Sequence, residues 1–138
     1  MVTAALDPRV SLCVADCPSN CMLHDALDFR NYATFGPTAG QVPAGQTLDD
    51  LKRTLSYYDP ANLAPRIRCP TVVHVNIGDL TVHAMGGLGV FKNLTGLAED
   101  RKWFFPGVNG HYHAGARAGG AKAAELIKAL VGDEPSKP

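Results

Sequence analysis

Long apolar runs, a surplus of either charge and the common metal-binding spacings are all missing from this 138-residue chain. Each absence removes a class of function. No apolar stretch approaches the roughly 20 residues that span a bilayer. Thirteen Lys and Arg balance thirteen Asp and Glu, which removes the electrostatic case for nucleic acid or an anionic membrane, because phosphate binding needs clustered basic charge. The opening "MVTAALDPRV" has neither a basic n-region nor an apolar h-region, so it does not read as a signal peptide and the expected location is the cytoplasm. Four cysteines, Cys13, Cys17, Cys21 and Cys69, are too few to be the scaffold of a chain with this much apolar material. Their C-x3-C-x3-C spacing lacks the C-x2-C pairs of common zinc sites and matches no usual iron–sulfur run. H-E-x-x-H is absent as well, so although His111 and His113 sit two apart and His24, His74 and His83 could be added to them, no ligand spacing supports a zinc set. No metal or other cofactor is expected.

What is present is ordinary globular material. Hydrophobic residues make up 46% of the chain and charged residues 19%, a balance that fits one compact domain burying roughly two-thirds of its unfolded surface. "RVSLCVADCP" (9–18) is a short apolar run stopped by Pro18 and predicts a buried strand. Residues 19–46 form an irregular excursion, and "TFGPTAGQVPAGQ" (34–46) has the chemistry of a long surface loop. Thr47 then offers a helix N-cap, with Asp49 and Asp50 in the first turn and Leu48, Leu51 and Leu55 at helical spacing. "CPTVVHVNIGD" (69–79) predicts a second strand, "MGGLGVFKNLTGLAED" (85–100) a helix despite its early glycines, and "RKWFFPG" (101–107) a third strand. Ala123, Leu126, Ile127, Leu130 and Val131 mark a last amphipathic helix with Gly132 as its cap, and 133–138 read as a flexible tail.

Strands that read as apolar runs and alternate with helices predict an α/β fold, about three parallel strands with helices on the faces. Functional residues of such sheets gather beyond the carboxyl ends of the strands. Asp79 follows the second strand and His111 the third, so both belong to one edge of the sheet. An Asp and then a His in that order are the second and third members of a Ser…Asp…His triad, where the Asp orients the imidazole that activates a nucleophile. Trp103, Phe104 and Phe105 read as strand core, His74 as a hydrogen-bonded core histidine, and Asp59 before Pro60 as the organiser of a turn.

"TLSYYDPANLAPRIRCPTVVHVNIGD" closely resembles the late part of the acetyl xylan esterase / cephalosporin C deacetylase family of α/β-hydrolases. "AALDPRVSLCVADCP" is similar to the segment that follows the nucleophile helix in that family, and "FFPGVNGHYH" to its Pro-x-x-Gly-His turn. The resemblance implies a partial α/β-hydrolase fold with residues 19–46 as a cap-like excursion, Asp79 as triad acid and His111 as triad base. His83, Tyr112 and His113 are the candidate substrate-pocket residues, with a surface position as the other reading of His83 and a bystander opening the final helix region as the other reading of His113. Two departures alter that pocket: His83 and Ala84 stand where members often have Pro-Pro, and Tyr112 where many have Glu.

The nucleophile elbow G-x-S-x-G is missing. Ser11, Ser19, Ser56 and Ser136 lack its glycine frame, and no G-x-C-x-G replaces it. Family order puts the elbow, an oxyanion donor and the first strands before residue 1, so the expectation is a C-terminal half that is inactive alone. An apolar strand left without its neighbour is a template for association. The expected partner is therefore a complementary chain carrying the nucleophile, or a second copy meeting the same edge, with a small ester as substrate once the site is complete. The alternative is a non-catalytic remnant acting as a structural or interaction module.

Overall fold

In a computed structural model the chain forms a three-stranded parallel sheet flanked by helices. The structure describes residues 1–26, 42, 44–108, 110 and 117–131. Most of the 34–46 loop, Gly132 as a cap and the 133–138 tail lie outside the described residues.

Strand β1 (Cys13–Asp16), β2 (Thr71–Asn76) and β3 (Lys102–Gly107) lie in that order across the sheet. β1 pairs with β2 from Cys13↔Thr71 to Asp16↔His74, and β2 with β3 from Thr71↔Lys102 to Asn76↔Gly107. β2 is buried along its whole length, as a β-branched run between two neighbours should be. β1 alternates buried and exposed, and β3 is partly buried, so Trp103, Phe104 and Phe105 are less enclosed than their aromatic content predicts. The reason is position: among the described residues β1 and β3 are the edges.

Period-two alternation assigns the two faces. Val73 and Val75 join a core with Ala4 and Ala5 of α1 (Val2–Leu6), Ala61 of α4 (Pro60–Leu63), Val90 of α5 (Ala84–Lys92), and Leu94. On the same side Phe104 packs on Phe91 with ring centroids 5.1 Å apart. The opposite face of β2 and β3 meets α6 (Arg117–Val131), where Lys122 Nζ lies 4.7 Å from the centre of the Trp103 ring.

The helix starts follow local chemistry. α3 (Leu48–Ser56) has a full capping box: Asp50 N–H donates to Thr47 Oγ1, and Thr47 N–H donates to the Asp50 carboxylate. α5 ends at Lys92 rather than near 100, because Asn93 closes it through backbone bonds to Gly89 and Val90 and a side-chain bond to Ala61 O. Its glycines are there for packing. A Cβ on Gly87 would collide with Val75 Cγ1 and touch Pro18, so this helix lies closer to the sheet than one with alanine would. In α6 Ala123 is buried, but Ile127 and Leu130 are about half exposed. Periodicity identified the helix correctly, yet the described residues cover a narrower stripe than the pattern presents. Among them no helix is long and apolar enough to cross a membrane.

Candidate functional site

The carboxyl ends of the three strands converge on one edge, and Asp79 sits there in the turn that follows β2. Ile77 N–H donates to Gly107 O at 2.8 Å, tying the end of β2 to the end of β3. Asp79 N–H then turns back to Asn76 O. Asp79 is 2% exposed, and its Oδ1 accepts from the N–H groups of Thr81 and Val82, both at 2.8 Å. Two amides on one oxygen fix the orientation of the carboxylate and satisfy part of the cost of burying it. The same bonds lead the chain into α5, whose N-cap position is His83. His83 is half-buried, four residues from the acid.

Gly110, the residue before His111 in sequence, lies against the Asp79 turn: a Cβ built on it would stand 3.7 Å from Gly78 O. His111, Tyr112 and His113 themselves lie outside the described residues. Asp79 and His83 therefore bracket one turn at this edge, with Gly110, which precedes His111, beside that turn. Around this edge Ile77, Leu80, Met85 and Val108 are exposed apolar side chains, more than an ordinary polar loop cluster presents.

A second group on the same edge was missed in the sequence. His74 is buried, as expected of a core histidine, but its Nδ1 lies 2.6 Å from Asp16 Oδ1. Asp16 and His74 are register partners in the parallel pairing of β1 with β2, a relation that no spacing in the sequence announces. Cys17, next in the chain, has φ +44. That left-handed residue breaks the alternation of β1 and brings Sγ to 3.9 Å from His74 Nδ1 and 3.6 Å from Asn76 Nδ2. The surroundings of Cys17 disfavour its thiolate. Burial, and then the charge of Asp16, push its thiol up to about 11, so it stays protonated near neutrality. Cys21 is pushed up to about 12, mainly by burial, and Cys13 is raised for the same reason.

Asp59 does more than the turn the sequence suggested. It caps α4 through Ala61 N–H at 2.8 Å and also accepts from Met22 N–H at 3.0 Å and Leu23 N–H at 2.6 Å. This buried carboxylate therefore pins the loop after β1 to the helices before β2.

No protein-family model matches the chain. It is 37% identical over 78 residues to acetyl esterase Axe7A of Xylanibacter ruminicola, covering 53% of this chain and 16% of that protein. The chain thus spans about a sixth of the length of the curated relative it matches. Its fold is similar to that of the Pyrococcus furiosus esterase Pf2001, with a TM-score of 0.57 at 13% identity, over 92% of this chain and 47% of that one. A hydrolase from Pseudomonas aeruginosa PA01 aligns with a TM-score of 0.48 at 16% identity, over 95% of this chain and 59% of that one.

Proposed function

With a partial α/β-hydrolase that resembles acetyl esterases as the premise, we propose that this chain is the acid/base half of a serine carboxylesterase acting on small acyl esters such as acetylated sugars. In this reading a serine on a complementary chain attacks the ester carbonyl. His111 takes the serine proton and returns it to the leaving alcohol, Asp79 holds the imidazole tautomer, and water then releases the acid by the same route. His83, Tyr112 and His113 border the acyl pocket.

The observation that carries the reading is Asp79 itself, a carboxylate buried beyond the carboxyl end of a parallel strand and oriented by two backbone amides. That is the environment a triad acid needs, because a solvated carboxylate holds an imidazole weakly. The exposed apolar rim suits a small acyl group. Four free cysteines are compatible with the reducing cytoplasm that the proposal includes.

The outer side of β1 supports the need for a partner. Cys13 N–H and Cys17 N–H bond to β2, so the alternate amide of Val14 points the other way, and among the described residues no strand lies on that side. A strand carrying the serine would complete that side. The same edge favours the second reading, an interaction module without chemistry.

Reconstitution distinguishes them. The chain is purified with a complementary chain bearing a G-x-S-x-G segment, and p-nitrophenyl acetate hydrolysis is followed. The esterase reading predicts turnover that requires both chains and falls on the order of 10⁴-fold in kcat with Asp79→Asn. A complex that forms without turnover supports the module, and turnover indifferent to Asp79 and His111 refutes the triad assignment.

A further inference from the structure

We propose that Asp16, Cys17 and His74 form a binding site for a divalent cation of the zinc class, at the carboxyl edge of the sheet. Each residue offers one donor atom, and the three donors lie within 4.8 Å of one another. Thiolate, imidazole and carboxylate together are the donor set of borderline transition metals rather than of magnesium or calcium. Bond lengths of about 2.0–2.3 Å in a tetrahedral zinc site put ligand atoms about 3.4–3.6 Å apart. Cys17 Sγ and His74 Nδ1 are already 3.9 Å apart. Asp16 Oδ1, at 2.6 Å from the same nitrogen, has to withdraw by roughly 1 Å. The Asp16 side chain is 39% exposed and has room to do so, whereas that of His74 is 3% exposed.

The arrangement differs from a nucleophile–base–acid triad in one decisive respect. A triad needs the carboxylate on one imidazole nitrogen and the nucleophile on the other. Here the carboxylate and the sulfur both converge on Nδ1, the geometry of ligands around a common centre.

A second observation points the same way. His74 Nε2 is buried and has no hydrogen-bond partner among the described residues. A Cβ on Gly107 would collide with Asn76 Oδ1 and come within 3.1 Å of His74 Nε2, so these two atoms border one small space that glycine leaves open. In the neutral tautomer that donates Nδ1–H to Asp16, Nε2 faces that space as a bare lone pair. Metal on Nδ1 reverses this. The ring proton moves to Nε2, which borders the same small space as Asn76 Oδ1, so a shift of either side chain would supply the outer-shell contact that ligating histidines usually have. Asn76 already donates its Nδ2 to Cys17 Sγ. The protons balance: the thiol loses one to solvent, the imidazole exchanges Nδ1–H for Nε2–H, and the ion gains two negative ligands and one neutral one.

The site is tested by titrating the metal-free full chain with Co²⁺ as a spectroscopic probe and Zn²⁺ as its competitor. A thiolate-to-cobalt charge-transfer band is expected to saturate at one equivalent and to be displaced by Zn²⁺. It should disappear in Cys17→Ser and His74→Gln and persist in Cys13→Ser and Cys69→Ser. Asp16→Asn, on a half-exposed side chain, keeps the test decisive if the buried variants fail to fold. It should weaken Zn²⁺ binding by at least the roughly 10–100-fold that an outer-shell change costs. Zn²⁺ should also protect Cys17 of the native chain from iodoacetamide, read by peptide mass spectrometry. No saturable band, a band that survives Cys17→Ser, or a folded Asp16→Asn that binds Zn²⁺ unchanged would overturn the proposal.

Discussion

Replacing Asp59 by Asn changes one atom and should cost nearly as much as removing the side chain. Asp59 Oδ1 accepts from Met22 and Ala61, and Oδ2 accepts from Leu23 at 2.6 Å. In Asp59→Asn one oxygen can keep the first pair, but the new NH₂ then faces the Leu23 N–H, donor against donor. The flipped amide is worse, because it opposes two donors. A hydrogen bond to a charged group contributes about 1.5–3 kcal/mol, and a buried N–H left unsatisfied costs about 1–3 kcal/mol. Asp59→Asn should therefore destabilise by about 2–4 kcal/mol. Asp59→Ala strands two buried N–H groups and the partly buried one of Met22 and loses an N-cap worth about 1 kcal/mol. Against this stands the relief of a buried carboxylate's desolvation, so its cost should be about 3–5 kcal/mol. For a domain whose total stability is about 5–15 kcal/mol either change is large. Equilibrium urea unfolding at neutral pH measures it as a lower midpoint at unchanged slope. An Asp59→Asn protein within about 0.5 kcal/mol of the native one, the range of ordinary surface changes, would refute the claim that this carboxylate clamps the two segments.

Burial makes the thiols sluggish: with Cys17 near 11, its thiolate fraction at pH 8 is about a thousandth. Iodoacetamide at that pH should modify Cys17 in the metal-free native chain roughly 100-fold more slowly than in urea, and equal rates would show that the thiol is not held in this environment. Because the folded values of Cys17 and Cys21 lie above the ordinary value of 9.0, their contribution to stability is complete below about pH 9. It is lost as pH rises towards 11–12, so the urea midpoint should be lower at pH 10 than at pH 7, and an unchanged midpoint would contradict it. Gly87→Ala and Gly120→Ala make a matched pair within helices. Both gain about 1 kcal/mol of helix propensity, but the new methyl at 87 collides with Val75 while that at 120 meets nothing within 4 Å. Overpacking costs about 1–3 kcal/mol, so thermal unfolding should show the first variant destabilised and the second stabilised; the same sign for both would contradict the close packing of α5 on β2.

Much of the architecture was legible because local signals agree with the fold. The β-branched run around Val72, the cap at Thr47 and the parallel order of three strands follow from spacing and turn chemistry alone. What escaped depends on packing between distant segments. The end of α5 at Lys92 is set by Asn93 reaching Ala61 O, 32 residues away. The Asp59 clamp spans 36 or 37 residues to the loop it holds. The Asp16–His74 pair requires the strand register, and the position of Cys17 Sγ requires a left-handed residue that no motif announces. Of the candidate site, Asp79 was legible as an acid following a strand, whereas its two amide donors belong to a turn whose conformation only the fold shows.

The central claim is that this chain supplies an acid and a base but no nucleophile. Its most direct test is hydrolysis of p-nitrophenyl acetate by the purified chain, compared with His111→Ala. Surface histidines cleave such esters slowly, so the difference between the two proteins carries the information. The account predicts equal, near-background rates without saturation. Saturable turnover that disappears in His111→Ala would contradict it, because a nucleophile would then have to lie within these 138 residues.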